Sequence, residues 1–207
     1  MNLAIVANPS VLVDAIIREA ATCGFLAECV ATLRLSGEFD CVAFGLPETD
    51  ESTLLDDDAD FSEIAERINA DLMRFLVEIR NASVALARRG GGKIFVLTQE
   101  DSASYYLALP QSPIASRARI AAAKSLAKEV FRMGVEINVL DVQSFAEQAP
   151  ESAWIEARSD LKAYALRFRP VTAAAVARAV VGLGGMDCRC FAGIVIPVGV
   201  GVPEGNL

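Results

Sequence analysis

A chain without histidine has lost the commonest general base and the commonest metal ligand. What remains for chemistry is a tyrosine pair, Tyr105 and Tyr106, a scatter of serines, five cysteines and two acidic runs. Those runs, Glu48–Glu51 and Asp56–Asp60, lack the glycine and the ligand spacing of a calcium loop, so they read as one solvated loop and no metal site is expected. The cysteines are Cys23, Cys29, Cys41, Cys188 and Cys190. An odd count with no C-x-x-C pair predicts free, mostly buried thiols in a reducing compartment.

Composition narrows the class further. A length of 207 residues suits one domain with a full core, and 53% apolar with 22% charged residues describes a globular chain. The net charge of −8 argues against nucleic acid, which needs clustered Lys and Arg. The opening MNLAIVANPS runs straight into a strand pattern without a basic n-region or cleavage site, and the last long apolar run is broken by Asp187, Arg189 and glycines. A cytoplasmic protein with no membrane partner is expected.

The elements that must position any site follow from periodicity. Leu3 to Ala7 reads as a strand and Val11 to Cys23 as a helix closed by Gly24, a strand–turn–helix opening that suggests a dinucleotide-binding βα unit. Strands are predicted at 26–33, 39–46, 93–98, 135–142 and 191–196. Asp60 to Arg89 is a long helix with a capping box from Asp60 and Glu63 and an apolar stripe through Phe61, Ile64, Ile68, Leu72, Phe75, Leu76 and Ile79. A second long helix runs from Ser112, placed as N-cap ahead of Pro113, to Gly134. One face carries Ile114, Ala118, Ala121, Ala122 and Ser125, and an adjoining stripe carries Ile120, Ala123, Ala127, Val130 and Phe131. Two such faces expect two covers, the sheet and a neighbour. The segment 144–159, with Trp154, is not assigned, and 172–183 is a late helix. Strands alternating with helices predict an α/β protein, a doubly wound parallel sheet.

The run K-S-L-A-K-E-V-F-R-M-G-V-E-I-N-V-L, residues 124–140, resembles the segment after the catalytic Tyr-x-x-x-Lys of short-chain dehydrogenases/reductases. Carried back from Leu126-Ala127-Lys128-Glu129 at that family's spacing, the lysine position falls on Ser116 and the tyrosine position on Ser112. The catalytic serine, after the strand G-K-I-F-V-L-T, falls on Gln99. Asn69, in I-N-A-D-L-M-R-F, matches the fourth member of the tetrad, and its retention suggests a structural role. The glycine positions of the first turn fall on Ala7, Val11 and Val13, where branched side chains would stand in the way of phosphate. Phe44-Gly45-Leu46 replaces N-A-G, Val142-Gln143 replaces P-G, and the stretch between residues 24 and 39 is several dozen residues shorter than in the family. Asn138 matches the family's strand asparagine.

The resemblance implies a single truncated Rossmann-like domain over residues 1–207 that keeps the fold without its catalytic or cofactor-binding groups. It implies a catalytically silent structural or regulatory subunit of a hetero-oligomeric dehydrogenase, with NAD held by an active homologue that acts on a 3-hydroxyacyl-CoA, in a heterotetramer. In the family the two long helices pair with those of a second subunit, which puts Leu72, Phe75, Ile79, Ala118, Ala121, Ala122 and Ser125 at the interface. Two other readings stay open. One is an autonomous enzyme using Gln99, Tyr105 or Asn69; there Tyr105 and Tyr106 precede the helix and their nearest downstream lysine, Lys124, lacks the four-residue spacing. The other is a homo-oligomeric binding protein for a CoA thioester.

Overall fold

The structure, a computed structural model, describes residues 1–33, 38–55, 60–100, 104, 106–161, 170–186 and 191–199. Six parallel strands lie in one sheet: β1 (Asn2–Val6), β2 (Leu26–Val30), β3 (Cys41–Phe44), β4 (Gly92–Glu100), β5 (Val135–Gln143) and β6 (Val195–Val198). Their order is β2-β1-β3-β4-β5-β6, with Val6 opposite Phe44 and Thr98 opposite Asp141. Among the described residues five α-helices flank it: α1 (Val11–Thr22), α2 (Phe61–Arg88), α3 (Pro113–Val130), α4 (Glu151–Leu161) and α5 (Ala173–Gly185). This is a doubly wound Rossmann-like α/β fold.

Side chains alternate across a strand, so a sheet covered on both faces needs apolar residues at every position. The strands comply. Leu3, Ile5, Ala43, Leu97 and Leu140 pack under α1 and α5, while Ala4, Val42, Ile94, Val96 and Val139 pack under α2 and α3. A satellite cluster of Leu107, Trp154 and Ala157 seats α4 beside the end of β4. Turns are tight where strands begin: Gly91 has φ +128°, and a Cβ there would stand 2.4 Å from the Gly134 carbonyl oxygen. Asn138 ties β5 to the approach of β6, its amide donating to the Phe191 carbonyl at 2.9 Å.

Several expectations are corrected. The last strand begins at Val195, because residues 191–194 form the bend that Asn138 and the Ile137 carbonyl hold by hydrogen bonds. The second strand stops at Val30. Ser112 stands at the N-cap of α3 but does not cap it; its hydroxyl donates to the Thr49 carbonyl. Glu51 caps the helix, its two carboxylate oxygens accepting from the Ile114 and Ala115 N–H groups at 2.7 and 2.9 Å. The first acidic run is therefore no solvated loop at Glu51, which is buried; residues 56–59 of the second lie outside the described residues, as do Cys188, Cys190 and Tyr105. Asp60 does cap α2, accepting from the Ser62 and Glu63 N–H groups.

A buried ion pair joins α2 to α3. Arg119 and Asp71, each side chain 6% exposed, pair at 2.8 Å. The same guanidinium donates to the Gly45 carbonyl at 2.8 Å and lies 4.9 Å from the centre of the Phe75 ring. Burial pulls the Arg119 pKa below its ordinary value, and the Asp71 carboxylate opposes that pull. Asp71 also accepts from Arg74, which reaches Glu48 at 3.1 Å.

Burial of these groups has measurable consequences. Asp71→Asn or Arg119→Met strands a buried charge and costs on the order of 3–5 kcal/mol in urea denaturation, whereas Asp71→Leu with Arg119→Met recovers most of that loss. Burial pushes the Cys41 thiol from 9.0 to about 12. With the folded value above the unfolded one, this burial stabilises the fold fully below about pH 9 and is lost as pH climbs toward 12. Iodoacetamide at pH 8 should label exposed Cys23 and spare Cys41 until the chain unfolds.

Candidate functional site

In an open parallel sheet, ligands sit outside the carboxyl ends of the strands where the strand order reverses. Here that point lies between β1 and β3, since β2 extends the sheet one way from β1 and β3 to β6 extend it the other. The chain leaves β1 through Ala7-Asn8-Pro9-Ser10 into α1. It leaves β3 through Gly45, where a Cβ would stand 2.6 Å from the Ala7 Cβ, so the two strand ends meet closely.

A cavity of about 340 Å³ opens at this point. Ile5, Ala43 and Leu97 line it from the sheet, Leu12 from α1, and Phe145 from the segment after β5. Its polar lining includes Ser10, Glu48 and Glu147, and no lysine or arginine among the described residues. Ser10 is the N-cap of α1, its hydroxyl accepting from the Val13 N–H at 3.3 Å. Val11, exposed at the mouth, and Val13, buried under α1, both line the cavity. Electrostatic and conformational features add to these branched side chains. The helix N-terminus is partly satisfied by its own cap, two carboxylates border the space, and no glycine loosens the turn. These residues do not fit a dinucleotide pyrophosphate.

The tetrad positions are brought together on the other side of β4, except for one. Gln99 at the end of β4 meets Ser116 of α3, its backbone N–H donating to the Ser116 hydroxyl at 3.2 Å. The Gln99 side-chain amide donates to the Ser104 hydroxyl at 2.7 Å and the Pro110 carbonyl at 3.3 Å, and Ser104 and Ser144 share a hydrogen bond at 2.7 Å. Ser112 is tied to Thr49, and Glu51 and Asp50 lace the same loop to Gln111 and the start of α3. Gln99, Ser104, Ser112, Ser116 and Ser144 are all buried. Asn69 is exposed on α2, apart from this group. Tyr106 packs on the Trp154 cluster.

A hydroxyl lattice of this kind has no group with a pKa near neutrality and no cation to create one. Each polar atom named is already engaged by a protein partner. Sequence reasoning missed Glu51, Ser104, Ser144 and the Arg119–Asp71 pair. Glu51 and Ser144 lie in connections that no periodicity marks, Ser104 lies in the segment read as a loop, and the pair joins residues 48 apart. Among the described residues no group of three or more His, Cys, Asp or Glu side chains could hold a metal ion.

The site generates two expected outcomes. Titrating NADH or NADPH into the pure chain should give no saturable change in Trp154 fluorescence up to millimolar nucleotide; a micromolar dissociation constant would contradict the misfit. Ser112→Tyr with Ser116→Lys should yield no hydride transfer and should destabilise the fold by about 1–3 kcal/mol through overpacking against the Thr49 loop.

No protein-family model matches the sequence, and no curated protein matches it. Solved structures do match in fold. A protein described as a short-chain dehydrogenase/reductase from Burkholderia xenovorans superposes with TM-score 0.65 at 13% identity, over 96% of this chain and 94% of that one. Acetoin dehydrogenase from Enterobacter cloacae gives 0.64 at 20% identity, over 95% and 93%. An ElxO variant with NADPH bound gives 0.68 at 13% identity, over 95% and 96%. At such identities the likeness is one of architecture, and the chain is built on the fold of the short-chain dehydrogenases/reductases.

Proposed function

We propose that this chain is a non-catalytic subunit that assembles, through the outer faces of α2 and α3, with an active homologue of the same fold. The observation that carries the proposal is an apolar outer face on two helices whose inner faces are already satisfied. Met73, Leu76, Val77 and Val84 of α2 are 60%, 36%, 50% and 37% exposed. They recur at helical spacing along one side. On α3, Ile114, Ala121 and Ser125 are exposed and Ala118 and Ala122 half-buried, which gives a partner helix a shallow surface to approach. A groove of about 350 Å³ between the ends of the two helices joins Val84 and Ala87 to Leu126 and Met133. Apolar surface of this extent along paired helices marks a protein–protein contact.

The interface set is revised by the same observation. Phe75 and Ile79, 3% and 1% exposed, point into the monomer core beneath α2 and have no surface left for a partner. Leu72 is half-buried at the edge of that core. The outward role passes to Leu76, Val77 and Val84, one position round the helix.

In this reading the partner holds NAD and oxidises a 3-hydroxyacyl-CoA thioester, two copies of each chain making a heterotetramer. Its narrowest form is the inactive subunit of the (hydroxyphenylmethyl)succinyl-CoA dehydrogenase of anaerobic toluene degradation through benzylsuccinate. What supports that form is the similarity of the whole shortened domain, with a single strand in the described residues between Gly24 and Phe39. The sealed tetrad positions and the misfit to a pyrophosphate support silence in this chain; the helix faces support pairing.

The test is co-purification with a co-expressed active homologue. Val77→Glu and Ala121→Glu, at exposed positions, should leave the circular dichroism of the isolated chain unchanged and weaken assembly at least tenfold, because each buries an unpaired charge in the complex. Leu26→Glu, on the exposed edge strand β2, should leave assembly intact. Wild-type assembly by both helix variants would remove the proposal's main support.

A further inference from the structure

Gln99, Ser104, Ser116 and Ser144 are hydrogen-bonded to one another beyond the end of β4. A cavity of about 340 Å³ lies at the reversal of strand order, between the β1 and β3 ends and α1. The small side chain of Ala43 at the floor leaves room that a larger residue would fill. The cavity's volume lies at the small end of ligand pockets, which run roughly 300–1,000 Å³.

The lining chooses the chemistry. The walls from Ala43, Leu97, Leu12 and Phe145 are apolar, and the charged residues of the lining, Glu48 and Glu147, are both acidic. Glu48 accepts from Arg74 and Glu147 from the Ala173 N–H at the start of α5, each through Oε2, and each has a second carboxylate oxygen for a ligand donor. Phosphate or carboxylate would meet repulsion here, and a hydrogen-bond donor would meet acceptors. We propose that this cavity binds a small, largely apolar molecule, uncharged or cationic, that carries a hydroxyl or amino donor, and that it rejects anionic ligands including CoA phosphates. The inference does not depend on a partner subunit, because every lining residue named belongs to this chain.

One ring with three charges tests it: benzyl alcohol, benzylamine and benzoate, each titrated into the full-length chain by ¹H–¹⁵N NMR. The alcohol and the amine should give saturable shifts centred on Ala43, Leu97 and Phe145, with benzoate at least tenfold weaker. Ala43→Leu, which fills the cavity, should abolish those shifts; if that variant fails to fold, Val11→Trp at the exposed mouth should do the same. No saturable shift from the alcohol or amine, benzoate binding as well as they do, or binding undiminished in the filled variant would overturn the proposal. Micromolar NADH displacing the probes would overturn the rejection of anions proposed here as well as the silent-subunit reading, whereas assembly failing while the alcohol and amine still bind would count against that reading alone.

Discussion

Burying a guanidinium demands that its partners be fixed before the chain can close around it, and Arg119 imposes that demand here. Its hydrogen bonds run to Asp71 on α2 and to the Gly45 carbonyl at the end of β3, while Phe75 stacks near its face. The Nε atom has no partner among the described residues, so the group is held by the remaining contacts. Moving α2 or α3 along its axis would strand a charge, which costs more than most apolar rearrangements. The pair therefore sets which sides of the two helices face the sheet, and by exclusion which sides face outward. It also fixes Gly45 against Ala7, the contact that borders the cavity.

Around that frame, polar groups have been settled by hydrogen bonds that lead nowhere chemically. Glu51 satisfies the N-terminus of α3, a place where helix geometry offers free N–H donors to an anion. Ser116 and Gln99 satisfy one another, and Ser104 and Ser144 extend the lattice across to the segment after β5. Proton transfer at a carbonyl needs an acid poised near neutrality and a cation to poise it. The positions that would supply them hold hydroxyls and an amide.

Most of the architecture was legible because it is periodic. Short, nearly continuous apolar runs placed the strands, and three-and-four spacing placed α2 and α3 to within a few residues. Non-local pairings were not legible. The stripe through Phe75 and Ile79 told that α2 buries a face, but not that the sheet takes that face entirely, leaving Met73 and Val77 outside. Ser112 has the residue type of a cap, and only the approach of residues 49–51 shows a carboxylate displacing it. Val11 and Val13 are two apart, so a helix exposes one and buries the other, yet both line the cavity. The Arg119–Asp71 pair leaves no local signature at all.

The account turns on whether the outer face of α2 and α3 has a partner of the same fold. Native mass spectrometry of this chain purified after co-expression with a catalytically competent short-chain dehydrogenase from the same cell addresses that most directly. The account predicts a mixed assembly with equal numbers of the two chains. It predicts that NAD-dependent oxidation of a 3-hydroxyacyl-CoA resides in that assembly and never in this chain alone. A chain that stays monomeric or pairs only with itself beside an abundant active homologue would contradict it.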